Sequence, residues 1–141
     1  MNTAPPDGIV TLLVEDHRSV EQRMADFVGT APDSRAEAFW KLTDELVRHE
    51  VAEEVILYPA LRSLPGGDRL ADQRITEESE AEAQLARMEK LDPTSPEFMA
   101  EFTDLRAAVL EHAKAEERQV FPLVNEKVSS VRHNFRASSD E

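Results

Sequence analysis

The chain has 141 residues, 40% of them hydrophobic and 32% charged, with only four glycines, which suits a single helical domain able to bury a core without covalent staples. A formal charge of −13 spread along the chain would repel phosphate backbones and anionic membranes, so neither nucleic acid nor a membrane is an expected partner. With no cysteine, disulfides, thiolate nucleophiles, iron–sulfur clusters and zinc–thiolate sites are excluded, and any metal must be held by nitrogen and oxygen.

The N-terminal Met1-Asn-Thr-Ala-Pro-Pro-Asp7 has no basic stretch followed by an apolar run. No segment approaches the roughly 18 consecutive apolar residues of a membrane span, and the expected location is cytoplasmic. Apolar spacing predicts a first amphipathic helix from Ile9 to Phe27, closed by the turn-forming Gly29-Thr-Ala-Pro-Asp33. Asp33 or Ser34 is expected to cap a second helix from Arg35 to Leu61, which ends at Leu64-Pro65-Gly66-Gly67. Asp68 is expected to cap the third, running to Leu91. In the following Asp92-Pro93-Thr94-Ser95-Pro96, Ser95 has the position of an N-cap and Pro96 that of the first helical residue. The fourth helix should reach Val128, giving one domain over 1–128 and a flexible tail over 129–141. Four helices with short connections pack most simply as an all-α, antiparallel up-down-up-down four-helix bundle.

Steps of three and four along the first helix trace an inward stripe of Leu13, His17, Val20, Met24 and Phe27. On the second the stripe is Phe39, Leu42, Leu46, His49, Glu53, Ile56 and Ala60, and on the fourth Phe102, Leu105, Val109, His112, Glu116, Val120 and Leu123. A histidine and a glutamate therefore replace two successive core residues on each of two helices. Burying unpaired carboxylates among histidines costs several kcal/mol per ion, about what a bound cation would offset.

The two pairs lie in matched segments, His49-Glu-Val-Ala-Glu-Glu-Val-Ile-Leu-Tyr-Pro59 and His112-Ala-Lys-Ala-Glu-Glu-Arg-Gln-Val-Phe-Pro122. Two equivalent helices, each offering one histidine and one carboxylate, suit two metal ions bridged by carboxylates about a pseudo-twofold axis. The third helix has no histidine. Its anchors Ile75, Leu85 and Met88 can be joined through Glu78 and Glu82 or through Glu78 and Ala81; Glu78 is inward on both paths, while Glu77, Glu80 and Glu82 stay open as alternatives. His133, beside Arg132 and Arg136, reads as a surface residue, and Tyr58 and Trp40 read as packing or boundary aromatics without assigned chemistry.

These residues resemble the hemerythrin-like, or HHE cation-binding, family over nearly the whole chain, about Ile9 to Val128. The resemblance rests on Glu15-Asp-His17, on His49-Glu-Val-Ala-Glu53 with Leu-Tyr-Pro-Ala-Leu61, and on His112-Ala-Lys-Ala-Glu116 with Val-Phe-Pro122. It implies iron held by His17, His49, Glu53, His112 and Glu116, with the two glutamates bridging two ions that also share an oxo or hydroxo group. Where the family usually has a histidine on the third helix, this chain has Glu77-Glu78. A carboxylate there adds negative charge and hard oxygen, which favours ferric over ferrous iron and disfavours reversible dioxygen carriage. Nitrogen and oxygen donors leave manganese open beside iron.

The expected function is that of a non-haem di-iron protein binding or reacting with dioxygen, peroxide or nitric oxide in sensing, detoxification or iron handling. Two alternatives are a catalase-like or other di-iron oxidoreductase and a metal-free or mononuclear helical interaction domain. The sequence leaves the oligomeric state and the electron donor open.

Overall fold

The computed structural model describes residues 8–125, all helix and turn with no strand among them. Helix α1 spans Ile9–Val28. Helix α2 runs Arg35–Ala52, widens through a π-turn at Glu53–Leu57 and finishes as Tyr58–Arg62. Helix α3 spans Gly67–Glu89. Helix α4 runs Pro96–Ala115, has its own π-turn at Glu116–Val120 and continues over 121–125. The expected end at Val128, the tail over 129–141 and His133 lie outside the described residues. No described helix is long and apolar enough to cross a membrane.

The core divides into two apolar ends. One gathers Ile9, Leu13, Leu57, Leu61, Ala71, Val120 and Val124. The other gathers Met24, Phe27, Phe39, Leu42, Leu85, Met88, Phe98, Phe102 and Leu105. Each helix begins in one end and finishes in the other, alternating in direction, which is the up-down-up-down bundle. At about 1.5–3 kcal/mol per buried large apolar side chain, these two ends drive assembly. Between them lies a layer of buried polar residues: His17, His49, Glu53, Glu78 and Glu116.

Both π-turns follow from the proline repeat. Tyr58 N–H bonds the carbonyl of Glu53, and Phe121 N–H bonds that of Glu116, each one residue further back than an α-helical bond reaches. Pro59 and Pro122 come next; a proline has no N–H to donate and its ring would strike the carbonyl four residues back in a regular helix. The wider turn absorbs this conflict and inserts one residue into the helical phase. The inward faces beyond the glutamates are therefore Leu57, Tyr58 and Leu61 on α2, and Val120, Phe121 and Val124 on α4. Ile56 and Leu123, expected to be core, are only partly buried.

Two expected caps are also corrected. Neither Asp33 nor Ser34 caps α2 with its side chain; a short 3₁₀ turn at Pro32–Ser34 leads into it. Asp68 lies within the first turn of α3, not before it, and accepts from Arg62 at 3.1 Å. Gly66, in the left-handed region at φ +75°, precedes that helix, and a Cβ on Gly67 would fall 1.7 Å from the Leu61 carbonyl oxygen. That close approach of backbone to backbone admits only glycine. Ser95 does cap α4, its Oγ accepting from Phe98 N–H at 3.2 Å, with Pro96 first in the helix.

Candidate metal centre

All six sequence-predicted residues meet at the polar layer. Inward-directed atoms of His17, His49, Glu53 and Glu116 lie within 4.8 Å of one another, and so do those of Glu53, Glu78, His112 and Glu116. The two quartets share Glu53 and Glu116. In the first, His17 Nε2 is 3.2 Å from His49 Nε2 and 3.1 Å from Glu116 Oε1, and His49 Nε2 is 3.3 Å from Glu53 Oε2. In the second, His112 Nε2 is 3.3 Å from Glu78 Oε2 and 3.4 Å from Glu116 Oε1. On α3 the buried positions run Ala71, Arg74, Glu78, Leu85 and Met88, with Ala81 partly buried and Glu80 and Glu82 exposed. The path through Ala81 is thus the one the helix takes.

Each histidine turns its other nitrogen to a carboxylate. His49 Nδ1 lies 3.1 Å from Asp16, His17 Nδ1 3.1 Å from Glu117 and His112 Nδ1 2.8 Å from Glu77. A proton on Nδ1 donated to that carboxylate leaves the Nε2 lone pair facing the centre, the arrangement that orients metal-ligating imidazoles. The dipeptides Asp16-His17 on α1 and Glu77-Glu78 on α3 are counterparts. In each, the first residue steadies the histidine of the following helix and the second faces the centre. Where α1 supplies imidazole, α3 supplies carboxylate.

Several inward atoms have no hydrogen-bond partner although buried: Glu53 Oε2, Glu78 Oε1 and His112 Nε2. Such atoms cost about 1–3 kcal/mol each when left unmade. Converging lone pairs and orphaned oxygens of this kind fit divalent or trivalent cations that take mixed nitrogen and oxygen donors. The same crowding shows in proton affinities. Burial, together with Glu116 and Glu78, pushes the Glu53 carboxyl well above its ordinary range. Burial also acts to raise Glu116, but hydrogen bonds from Glu53, His17 and His49 outweigh it and hold that carboxyl well below. His49 and His112 are raised: burial lowers both, and the surrounding carboxylates more than reverse it.

Tyr58, read from sequence as a packing or boundary aromatic without assigned chemistry, lies against the carboxylates of the centre. Its Oη lies 2.9 Å from both Glu78 Oε2 and Glu116 Oε2, and its single O–H donates to one of them at a time. Burial and the carboxylates around it hold the phenol protonated. The one-residue insertion of the π-turn is what swings Tyr58 inward, so helical periodicity could not have found it. Trp40, by contrast, is exposed. Arg74 was also missed, because the traced α3 stripe ran through its neighbour Ile75, which is only partly buried.

A cavity of about 260 Å³ opens on the centre, lined by His17, His49, Glu53, Glu78 and His112 with Val20, Leu46 and Val109. Glu50 also lines it, and burial together with Glu82 pushes this carboxyl up to about 9. A raised carboxyl stabilises the fold while protonated, fully below its unfolded pKa, and that contribution is lost as pH rises through the folded value. Metal-free protein should therefore lose stability between about pH 5 and 9, and Glu50→Gln should flatten the profile. Thermal midpoints across that range check it; parallel profiles for the two proteins would refute the assignment.

The family model described as "Hemerythrin HHE cation binding domain" matches residues 8–124. Among curated proteins, the chain is 32% identical over 100 residues to a DNA nickase from Nostoc sp., covering 70% of this chain and 28% of that protein. It is 24% identical over 136 residues to an uncharacterized hemerythrin-like protein from Schizosaccharomyces pombe, covering 92% and 65% respectively. The chain thus spans less than two thirds of the length of either relative. No solved structure matches.

Proposed function

Because the chain belongs to the hemerythrin HHE cation-binding family, we propose that it is a non-haem di-iron protein. In this reading it binds or reacts with dioxygen, peroxide or nitric oxide, in sensing, detoxification or iron handling in the cytoplasm. The observation that carries it is the pair of donor quartets sharing Glu53 and Glu116. A single ion would need only one quartet, whereas two ions bridged by two carboxylates use all six residues. His17, His49, Glu53 and Glu116 would hold one ion, and Glu53, Glu78, His112 and Glu116 the other.

When bound, an iron pair supplies electrons to, or accepts them from, a small ligand. The protein's own part is positioning. Asp16, Glu77 and Glu117 fix the imidazole orientations, and Tyr58 offers one O–H to the carboxylates facing it. Val20, Leu46 and Val109 keep part of the cavity wall apolar, which suits a small, weakly solvated ligand. Three carboxylates against three histidines favour the ferric state, and so favour reaction over reversible carriage.

Nicking of DNA belongs to the Nostoc relative, of which the match covers 28%. In this chain the net charge of −13 and a cavity lining that includes no lysine or arginine oppose a polyanion.

Protein from iron-replete cells should contain about two iron atoms per chain, its optical spectrum changing on reduction. Metal analysis returning one iron or none would overturn the dinuclear reading.

A further inference from the structure

We propose that Arg74 is a positioning residue for the second metal position, acting through Glu77 on His112. This rests on the reading of the two quartets as metal sites. Arg74 is 7% exposed and faces inward on α3, one turn before Glu78. Its Nε lies 3.1 Å from Glu77 Oε1, the same oxygen that accepts from His112 Nδ1 at 2.8 Å. Among the described residues Glu77 is its one ion-pair partner, and its Nε and Nη1 make no geometrically sound hydrogen bond.

A buried guanidinium so poorly satisfied weakens a fold; an apolar residue of similar size would serve the core better. What Arg74 adds is a fixed position for Glu77. Without it, that half-exposed carboxylate is free to turn to solvent, and His112 loses the acceptor that holds its Nδ1–H and aims Nε2 inward. The first quartet has two imidazoles, His17 and His49, which approach each other at 3.2 Å. The second has His112 as its single nitrogen donor. Misorientation of one ring therefore falls on one position alone. Arg18 pairs with Glu117 behind His17 in a similar chain, but its side chain is 57% exposed and so holds its carboxylate far less firmly.

The test is a calorimetric titration of metal-free protein with cobalt(II), in wild type, Arg74→Met, Glu77→Gln and the double variant, alongside NMR of the His112 Nδ1–H. In wild type two binding steps and a slowly exchanging Nδ1–H are expected. Arg74→Met should weaken one step by about 10- to 100-fold, leave the other in place and speed loss of the Nδ1–H signal. Glu77→Gln should do the same, and the double variant no more than either, because one chain of contacts is being cut twice. Two unchanged steps, or equal weakening of both, would overturn the role of Arg74, equal weakening marking it as merely structural. If wild type takes up fewer than two ions the metal reading fails. The NMR comparison then decides alone, persistence of the signal in Arg74→Met refuting the link and its loss supporting it.

Discussion

His112→Ala should empty the second metal position, and His49→Ala the first, each lowering iron content from about two per chain to one or none. His49 is buried and His112 partly buried between the two apolar ends of the core, and their Nε2 atoms face the shared carboxylates Glu53 and Glu116. Removing either imidazole deletes a donor and also a group whose proton affinity the surrounding carboxylates raise, leaving those carboxylates to face one another when metal is absent. The fold should loosen accordingly. A ligand present at a thousand times its Kd stabilises a protein by about 4 kcal/mol, so losing one tightly held iron should lower the thermal midpoint of iron-loaded protein by many degrees. Metal analysis with thermal denaturation measures both effects. His133→Ala, which reads from the sequence as a surface residue, should change neither, and equal effects from all three would mean the inward histidines were wrongly assigned.

The centre was legible in the sequence because metal ligands on a helix must obey the same spacing as core residues. His17, His49, Glu53, Glu78, His112 and Glu116 all stand where an apolar residue would, and the structure brings all six together. The carboxylates behind the histidines were less legible. Asp16 and Glu77 stand next to an inward residue, and only the packing of neighbouring helices reveals that they reach the Nδ1 of the histidine on the following helix. Periodicity failed beyond Glu53 and Glu116 for a definite reason. A π-turn adds a residue to the phase, so Ile56 and Leu123 turn partly outward while Leu57, Tyr58, Phe121 and Val124 turn in. Pro59 and Pro122 were the signal, since a proline inside a helical stripe demands that some carbonyl be released. The caps failed where backbone geometry substitutes for a side chain, at the 3₁₀ turn before α2 and at Gly66 before α3.

Glu78→His should raise the reduction potential of the centre and prolong the ferrous form in air. The carboxylate is 4% exposed, lies 3.3 Å from His112 Nε2 and accepts from Tyr58 at 2.9 Å, so an imidazole in its place would stand against the same partners. Exchanging carboxylate for imidazole removes one negative charge from around the iron, which stabilises the ferrous state relative to the ferric. It also makes α3 match α1, where Asp16-His17 already pairs an outer acid with an inward imidazole. Glu78→Ala should act differently, opening a coordination position, weakening one iron and admitting azide, with Tyr58 left to donate to Glu116 at 2.9 Å or to the more distant Glu53 at 3.5 Å. Glu80→Ala should be nearly silent, because that side chain is exposed at the cavity mouth. Iron stoichiometry, autoxidation rate and azide-dependent absorption, measured for all three variants, separate these outcomes. Wild-type values for both Glu78 variants, together with iron loss on replacing Glu82, would place the third-helix donor on a neighbour and rotate α3 away from the face through which Glu78 meets His112.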